Sequence, residues 1–73
     1  MAEIVLRVRL LSGDQTDVRY SGDQPDDEGL LAEVVKTLSS PDGALQCRHG
    51  NRTLVLFGRG VASVEAAPRG AVL

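Results

Sequence analysis

The first twenty residues alternate between apolar and polar side chains, as expected for half-buried β-strands. Between residues 4 and 11, the side chains of Ile4, Leu6, Val8 and Leu10 fall on one face, and a second alternation runs from residue 16 to residue 20. Successive side chains of a strand point to opposite faces. The intervening Ser-Gly-Asp-Gln segment favours a turn. The pattern therefore predicts a β-hairpin with one apolar face.

A specific register makes this hairpin self-consistent. If Val8 lies opposite Val18, then Leu6 faces Tyr20 and Arg9 faces Asp17. One face of the pair is then apolar and the other is charged, which is the arrangement that fixes a register when one face is buried. We expect this pairing.

Apolar residues next recur at the three- and four-residue spacing of an amphipathic helix. Pro25 suits the first helical position, and the acidic residues 26–28 suit the positive end of the helix dipole. The Ser-Ser-Pro-Asp-Gly segment at residues 39–43 predicts the helix end. The apolar stripe consists of Leu30, Leu31, Val34, Val35 and Leu38.

Three further strands are predicted at residues 44–49, 52–57 and 61–66, separated by turns at Gly50-Asn51 and at Gly58–Gly60. The resulting order, β–β–α–β–β–β, predicts a single α+β domain over residues 1–68 and a flexible tail at residues 69–73. We expect an antiparallel-rich sheet of about five strands, with the helix packed on one face.

A hairpin, a helix and further strands within 73 residues resemble the ubiquitin-like β-grasp layout. The resemblance implies a modifier or a carrier-type subunit of an enzyme system. Ubiquitin-like modifiers and sulfur carriers need a C-terminal Gly-Gly, whereas this chain ends in Pro-Arg-Gly-Ala-Val-Leu, with the single Gly70. The resemblance therefore concerns the layout, and the end of the chain argues against conjugation.

Residues 54–57, Leu-Val-Leu-Phe, are apolar without interruption. Such a run places apolar side chains on both faces of a strand, and a 73-residue chain has little material to cover both. Either the strand is central and enclosed by the helix and a curled sheet, or it meets a partner or a second copy. We expect an interface on a hairpin of residues 54–66, with Leu54, Leu56, Phe57, Val61 and Val64 as its candidate residues.

Arg7, Arg9 and Arg19 are predicted to share the outer face of the first hairpin. Arginine offers a planar fork of donors, so this face is a candidate site for an acidic partner surface, phosphate or nucleic acid. A net charge of −2, and Tyr20 and Phe57 as the only aromatic side chains, argue against nucleic acid.

No cofactor, metal site or catalytic group is expected. Cys47 and His49 are the only residues of their kinds, and a metal would have to be shared between two copies. A lone cysteine excludes a disulfide within the chain. The start of the chain does not resemble a signal peptide, and no apolar run could span a membrane. The sequence thus predicts a non-catalytic, cytoplasmic protein-interaction module that forms a homodimer or binds a protein partner.

Overall fold

The computed structural model describes residues 2–66 and 69–71. This part of the chain forms strands β1 (Ala2–Leu10), β2 (Gln15–Gly22), β3 (Ala44–His49), β4 (Arg52–Phe57) and β5 (Val61–Ala66), with helix α1 (Asp27–Leu38) between β2 and β3. The predicted α+β class and element order are confirmed. The predicted domain boundary at residue 68 and the last two residues of the predicted tail lie outside the described residues.

The five strands form one sheet in the order β4-β3-β2-β1-β5, and every neighbouring pair is antiparallel. The chain has the element order on which the ubiquitin-like resemblance was based. All adjacent strands of its sheet are antiparallel. The prediction of a hairpin over residues 54–66 is wrong, because β4 and β5 form opposite edges of the sheet. The short 3₁₀ helix Gly58–Gly60 carries the chain from one edge to the other.

This short link shows that the sheet is strongly curled. In a flat sheet the two edge strands would lie about 19 Å apart, which is four spacings of about 4.8 Å. A 3₁₀ segment rises only about 2 Å per residue, so the link covers less than half of that distance. Hydrogen bonds show how the edges meet: Gly58 N donates to Gly43 O (2.9 Å), next to β3, and Leu11 N donates to Gly60 O (2.9 Å), next to β1.

The first hairpin differs from the expected register by two residues. Leu6 lies opposite Val18, and Arg7, not Arg9, lies opposite Asp17. The turn is responsible: Leu10 N donates to Asp14 O (2.8 Å) and Gly13, at φ +96°, donates its N–H to Leu10 O (3.0 Å). A shift of two residues keeps every side chain on its face, so the inner face stays apolar as predicted.

Helix α1 begins two residues later than Pro25 suggested. Asp26 is the N-cap, and its Oδ1 accepts a hydrogen bond from Gly29 N (2.8 Å). Asp and Asn are among the best N-cap residues because their short side chains reach the free N–H groups of the first turn. Pro25 therefore precedes the cap, and the carboxylates of Asp27 and Glu28 occupy the first turn, where the helix dipole favours negative charge.

The core lies between the concave face of the sheet and helix α1. Strands β1 to β4 all contribute to it, and α1 contributes the two residues of its stripe that are fully enclosed. The buried apolar residues are Ile4, Leu6, Val8, Val18, Leu30, Val34, Leu45, Cys47 and Leu56. Strand β5 only flanks this core through half-buried Val61, Val64 and Ala66, so the two edges of the sheet are packed unequally.

Candidate functional site: the open edge of strand β4

The structure distributes the predicted interface residues between the core and the surface. Leu56 is buried, and Leu54, Val61 and Val64 are partly buried against the core. Among these five residues, only Phe57 is mostly at the surface, with 53% of its area exposed. The two-sided apolarity of residues 54–57 is nevertheless real, because Leu54 and Leu56 point inward while Val55 and Phe57 point outward.

Two apolar residues that were not predicted as interface residues join Phe57 on the surface. Val55 is 50% exposed and Leu11, at the end of the first hairpin, is 69% exposed. Together with Leu10 and Gly60 they line a shallow groove where the curl brings the end of β1 close to β4. The unbroken apolar run could have pointed to Val55, but the position of Leu11 depends on the curl, which the alternation pattern does not encode.

The backbone of β4 is open on the side away from β3, because β4 is an edge strand. The direction of its polar groups follows from the β3–β4 ladder. Gly58 N donates to Gly43 O, so Gly58 and Gly43 form a hydrogen-bonded pair. Hydrogen-bonded and non-hydrogen-bonded pairs alternate along an antiparallel ladder of constant register. Leu54 and Leu56 therefore exchange hydrogen bonds with β3, while Thr53 and Val55 direct their N–H and C=O groups outward.

Strand β4 lacks the features that normally protect an edge. Between Arg52 and Gly58 it has no proline and no charged side chain, and its register with β3 is continuous without a bulge. Its nearest charges are Arg52 at its start and Arg59 just beyond its end, where the guanidinium carbon of Arg59 lies 5.8 Å from the centre of the Phe57 ring. We call Thr53, Val55, Phe57 and Leu11, together with this free backbone, the β4 edge site.

The predicted arginine face is divided between different partners. Arg7 makes a two-point ion pair with Asp17, with Nε–Oδ1 at 3.0 Å and Nη2–Oδ2 at 3.3 Å. This hydrogen-bonded contact raises the pKa of Arg7 above its ordinary value, so Arg7 is engaged within the fold. Arg9 is exposed, and Arg19 donates through Nη2 to Gly50 O (3.0 Å).

Arg7 also donates through Nη2 to the backbone oxygen of Arg69, at 3.4 Å. This long contact joins the middle of β1 to the start of the predicted tail. Flexibility of residues 69–73 stays a prediction.

Cys47 and His49 occupy structural positions. Cys47 is a small core side chain that is 2% exposed, and burial raises the pKa of its thiol. The Nδ1 atom of His49 lies 2.6 Å from the carbonyl oxygen of Asp17. Because a carbonyl only accepts, His49 must carry its proton on Nδ1 in this contact. The hydrogen bond gives β2 and β3 a second connection beside their single paired position, Arg19 opposite Arg48.

A depression of about 430 Å³ lies at this same junction. Its lining includes Tyr20, whose hydroxyl donates to Glu33 Oε1 at 2.6 Å. This hydrogen bond, together with burial and the negative charges of Glu33 and Asp23, raises the pKa of Tyr20 to about 12. Tyr20 therefore ties β2 to α1, and its proton is held too tightly for acid–base chemistry near neutral pH.

The acidic residues at the helix start are explained by capping, since Asp26 binds the first turn directly. Among residues 2–66 and 69–71, no group of three or more histidine, cysteine, aspartate or glutamate side chains is placed to hold a metal ion. In the same part of the chain, no helix combines the length and the apolar character needed to cross a bilayer.

Comparison with known proteins adds no assignment. No protein-family model matches the sequence, and no curated protein and no solved structure matches the chain at a significant level. The function therefore has to be argued from the β4 edge site and the arginines themselves.

Proposed function

We propose that this protein is a non-catalytic interaction module that self-associates by pairing the β4 edges of two copies. The observation that carries the proposal is an unprotected edge strand with two exposed apolar side chains, Val55 and Phe57. Strand addition at a free edge supplies affinity through backbone hydrogen bonds and specificity through alternate side chains. A cytoplasmic setting belongs to the proposal and rests on the sequence alone.

The geometry of the edge favours one register for this pairing. Residues whose backbone N–H and C=O groups point away from β3 must lie opposite residues of the same kind in the second copy. A two-fold axis relates the two copies. The longest such overlap places Val55 opposite Val55 of the second copy and Thr53 opposite its Phe57. On the concave side, Leu54 then lies opposite Leu56 of the second copy, so apolar side chains meet on both faces.

The charges near β4 are compatible with that register. Arg52 would lie opposite Gly58 of the second copy, so no like charges face each other within the paired segment. Arg52 and Arg59 flank the apolar run and confine the pairing to it, as gatekeeper charges do. A contact of one strand per copy is at the small end of specific interfaces, and we expect a dissociation constant of roughly micromolar size.

Sedimentation over a dilution series from roughly millimolar to micromolar concentration would test self-association. Amide exchange would test the surface used: the N–H groups of Thr53 and Val55 are expected to exchange more slowly as the protein concentration rises. The amides of β5 serve as the matched control and should show no concentration dependence. A strict monomer at millimolar concentration, or equal changes at both edges, would contradict the proposal.

The alternatives raised by the sequence are not favoured equally. No observation in the described part of the chain supports a carrier-type role, which stays a prediction from the ubiquitin-like layout. Of the arginine face expected from the sequence, Arg9 and Arg19 have no ion-pair partner among the described residues, and Arg19 lies opposite Arg48 on β3.

A further inference from the structure

Arg19 and Arg48 lie directly opposite each other at the single paired position of β2 and β3. Both belong to the outer face of the sheet, since their neighbours Val18 and Cys47 are buried in the core. Like charges directly opposite each other destabilise a strand pair. Among residues 2–66 and 69–71, no carboxylate lies within salt-bridge distance of either guanidinium, and the ion pair found there joins Arg7 to Asp17.

The two guanidinium groups converge on the turn between β3 and β4. Arg19 Nη2 donates to Gly50 O at 3.0 Å, and Arg48 Nη2 approaches Asn51 O at 3.5 Å. The remaining contact of Arg48 is also long, at 3.4 Å from Nη1 to the hydroxyl of Thr53. Neighbouring carbonyls thus hold the two side chains at the same corner while leaving most of their donors unused.

One of those donors is already removed from solvent. Arg19 Nε is buried and has no hydrogen-bond partner in the described part of the protein. A buried polar group without a partner is costly and is uncommon in folded proteins. Because this atom is enclosed, an oxyanion between the two arginines would bind through their Nη donors, and it would relieve the repulsion between the like charges.

We infer that Arg19 and Arg48 form a binding site for an oxyanion, and that its carrier is a carboxylate of an acidic polypeptide segment. Guanidinium groups bind planar carboxylates through two parallel hydrogen bonds. A single-stranded nucleic acid would need aromatic stacking partners. Tyr20 is tied to Glu33, and Phe57 lies beyond β3 on the β4 edge.

This site differs from the arginine face expected from the sequence. Arg7 is neutralised by Asp17, and Arg9 lies on β1 opposite Gln15 and Ser63, four residue pairs along the β1–β2 ladder from Arg19. The inferred site therefore consists of Arg19 with Arg48 and does not require Arg7 or Arg9. Arg48 contacts Thr53 of the β4 edge site at 3.4 Å, but the inferred site does not require the pairing of β4 edges, so either can fail without the other.

Titration of the isotopically labelled protein with a short polyglutamate peptide, at low salt, tests the inference by amide chemical shifts. The expected shifts centre on Arg19, Arg48 and the Gly50-Asn51 turn. Arg48→Gln is expected to weaken binding about tenfold, since it removes one of two charge-assisted partners. The matched control is Arg9→Gln, which changes the net charge equally on the same face and should weaken binding less than about twofold.

Inorganic phosphate, as the smallest oxyanion probe, should shift the same amides at higher concentration. Equal weakening by Arg9→Gln and Arg48→Gln would overturn the site, because the attraction would then be one of overall charge. Absence of any shift at low salt would also overturn it. A single-stranded oligonucleotide of matched charge that binds more tightly than the peptide would overturn the assignment to an acidic polypeptide. Arg48 is exposed, so an unchanged spectrum outside the turn verifies that its variant is folded.

Discussion

Strands β4 and β5 are the two edges of one sheet, and they end it in different ways. The outward side chains of β5 include Ser63 and Glu65, and its pairing with β1 contains a bulge that leaves Ala62 without an opposite residue. Polar side chains, a charge and a bulge are the usual protections of an edge. Between Arg52 and Gly58, strand β4 has no charge and no bulge, and its polar side chain is that of Thr53. The comparison shows that the fold protects the β5 edge against pairing with another strand and leaves the β4 edge open to such pairing.

The link between the two edges is expected to be the most sensitive part of this comparison. A Cβ atom on Gly58 would lie 2.3 Å from Leu38 O, whereas one on Gly60 would have nothing within 4 Å. We therefore expect Gly58→Ala to lower the free energy of unfolding by about 3 kcal/mol, because backbone must move at the junction with α1. Gly60→Ala, in the same three-residue helix, should change it by less than about 1 kcal/mol. Urea denaturation of both variants measures the difference.

Equal losses of stability in the two glycine variants would show that the close approach of Gly58 to Leu38 O does not constrain the link between the edges.

Strand β4 lies at the edge of the sheet, but the side chains of its inward face contribute to the core. Leu56 is 8% exposed in the core, and Leu56→Ala should lower the free energy of unfolding by about 2–3 kcal/mol through lost burial and a residual cavity. Val55→Ala, one residue away on the outer face, should cost less than about 1 kcal/mol. Thermal unfolding of dilute samples, where dimers are absent, separates the two values. Similar losses would mean that the two faces of β4 are not distinct.

A protective charge should convert the β4 edge into one that behaves like β5. Val55→Lys is expected to weaken self-association about thirtyfold, or by about 2 kcal/mol, because two ammonium groups would meet at the two-fold axis. Ser63→Lys places the same charge on β5 and should alter the dissociation constant less than about threefold. Sedimentation equilibrium measures both. Equal weakening would show that net charge, and not the β4 edge, controls association.

The smallest expected effect concerns the β2–β3 junction, where a single paired position joins the two halves of the sheet. Tyr20 is the only tyrosine and the chain has no tryptophan, so its ultraviolet titration is directly observable. We expect its pKa at about 12 in the folded protein, because Glu33 and burial favour the neutral phenol. The ordinary pKa of tyrosine is about 10.

The sign of the linked stability follows from this raised pKa. The contribution of the Tyr20 hydrogen bond is fully present below about pH 10 and is lost as the pH rises toward about 12. Glu33→Gln should return the midpoint toward 10, since it removes the charge that opposes ionisation. A midpoint unaffected by Glu33→Gln would show that the hydrogen bond does not hold Tyr20, and that α1 is not tied to the junction in this way.

Most of the fold could be predicted from the sequence because periodicity reports locally on burial. The alternation around Val8 and the stripe containing Leu30 and Val34 identify their elements and their inner faces without knowledge of the partners. Registers and neighbours depend on geometry that the pattern does not contain. A shift of two residues leaves the alternation unchanged, so the pattern could not exclude the pairing of Arg9 with Asp17.

The candidate site could be predicted only in part, for the same reason. Residues 54–57 were identifiable because an unbroken apolar run needs cover on both faces. The turn-like Gly-Arg-Gly segment suggested a hairpin, yet a 3₁₀ turn with little side-chain bulk equally allows the chain to cross between curled edges. The position of Leu11 beside β4, and that of Arg19 opposite Arg48, depend on which strands distant in sequence lie side by side.

The pairing of β5 with β1 also governs how the chain is completed as it is synthesised. Leu6 lies opposite Ala66, so β1 leaves the ribosome before the strand that becomes its second neighbour. Until residues 61–66 have been translated, one side of β1 has no neighbour, and the growing chain carries an exposed edge there. A messenger truncated after the codon for Phe57 would make this condition permanent. Its product would retain the helix and both hairpins, and its sheet would end at β1 instead of at β5.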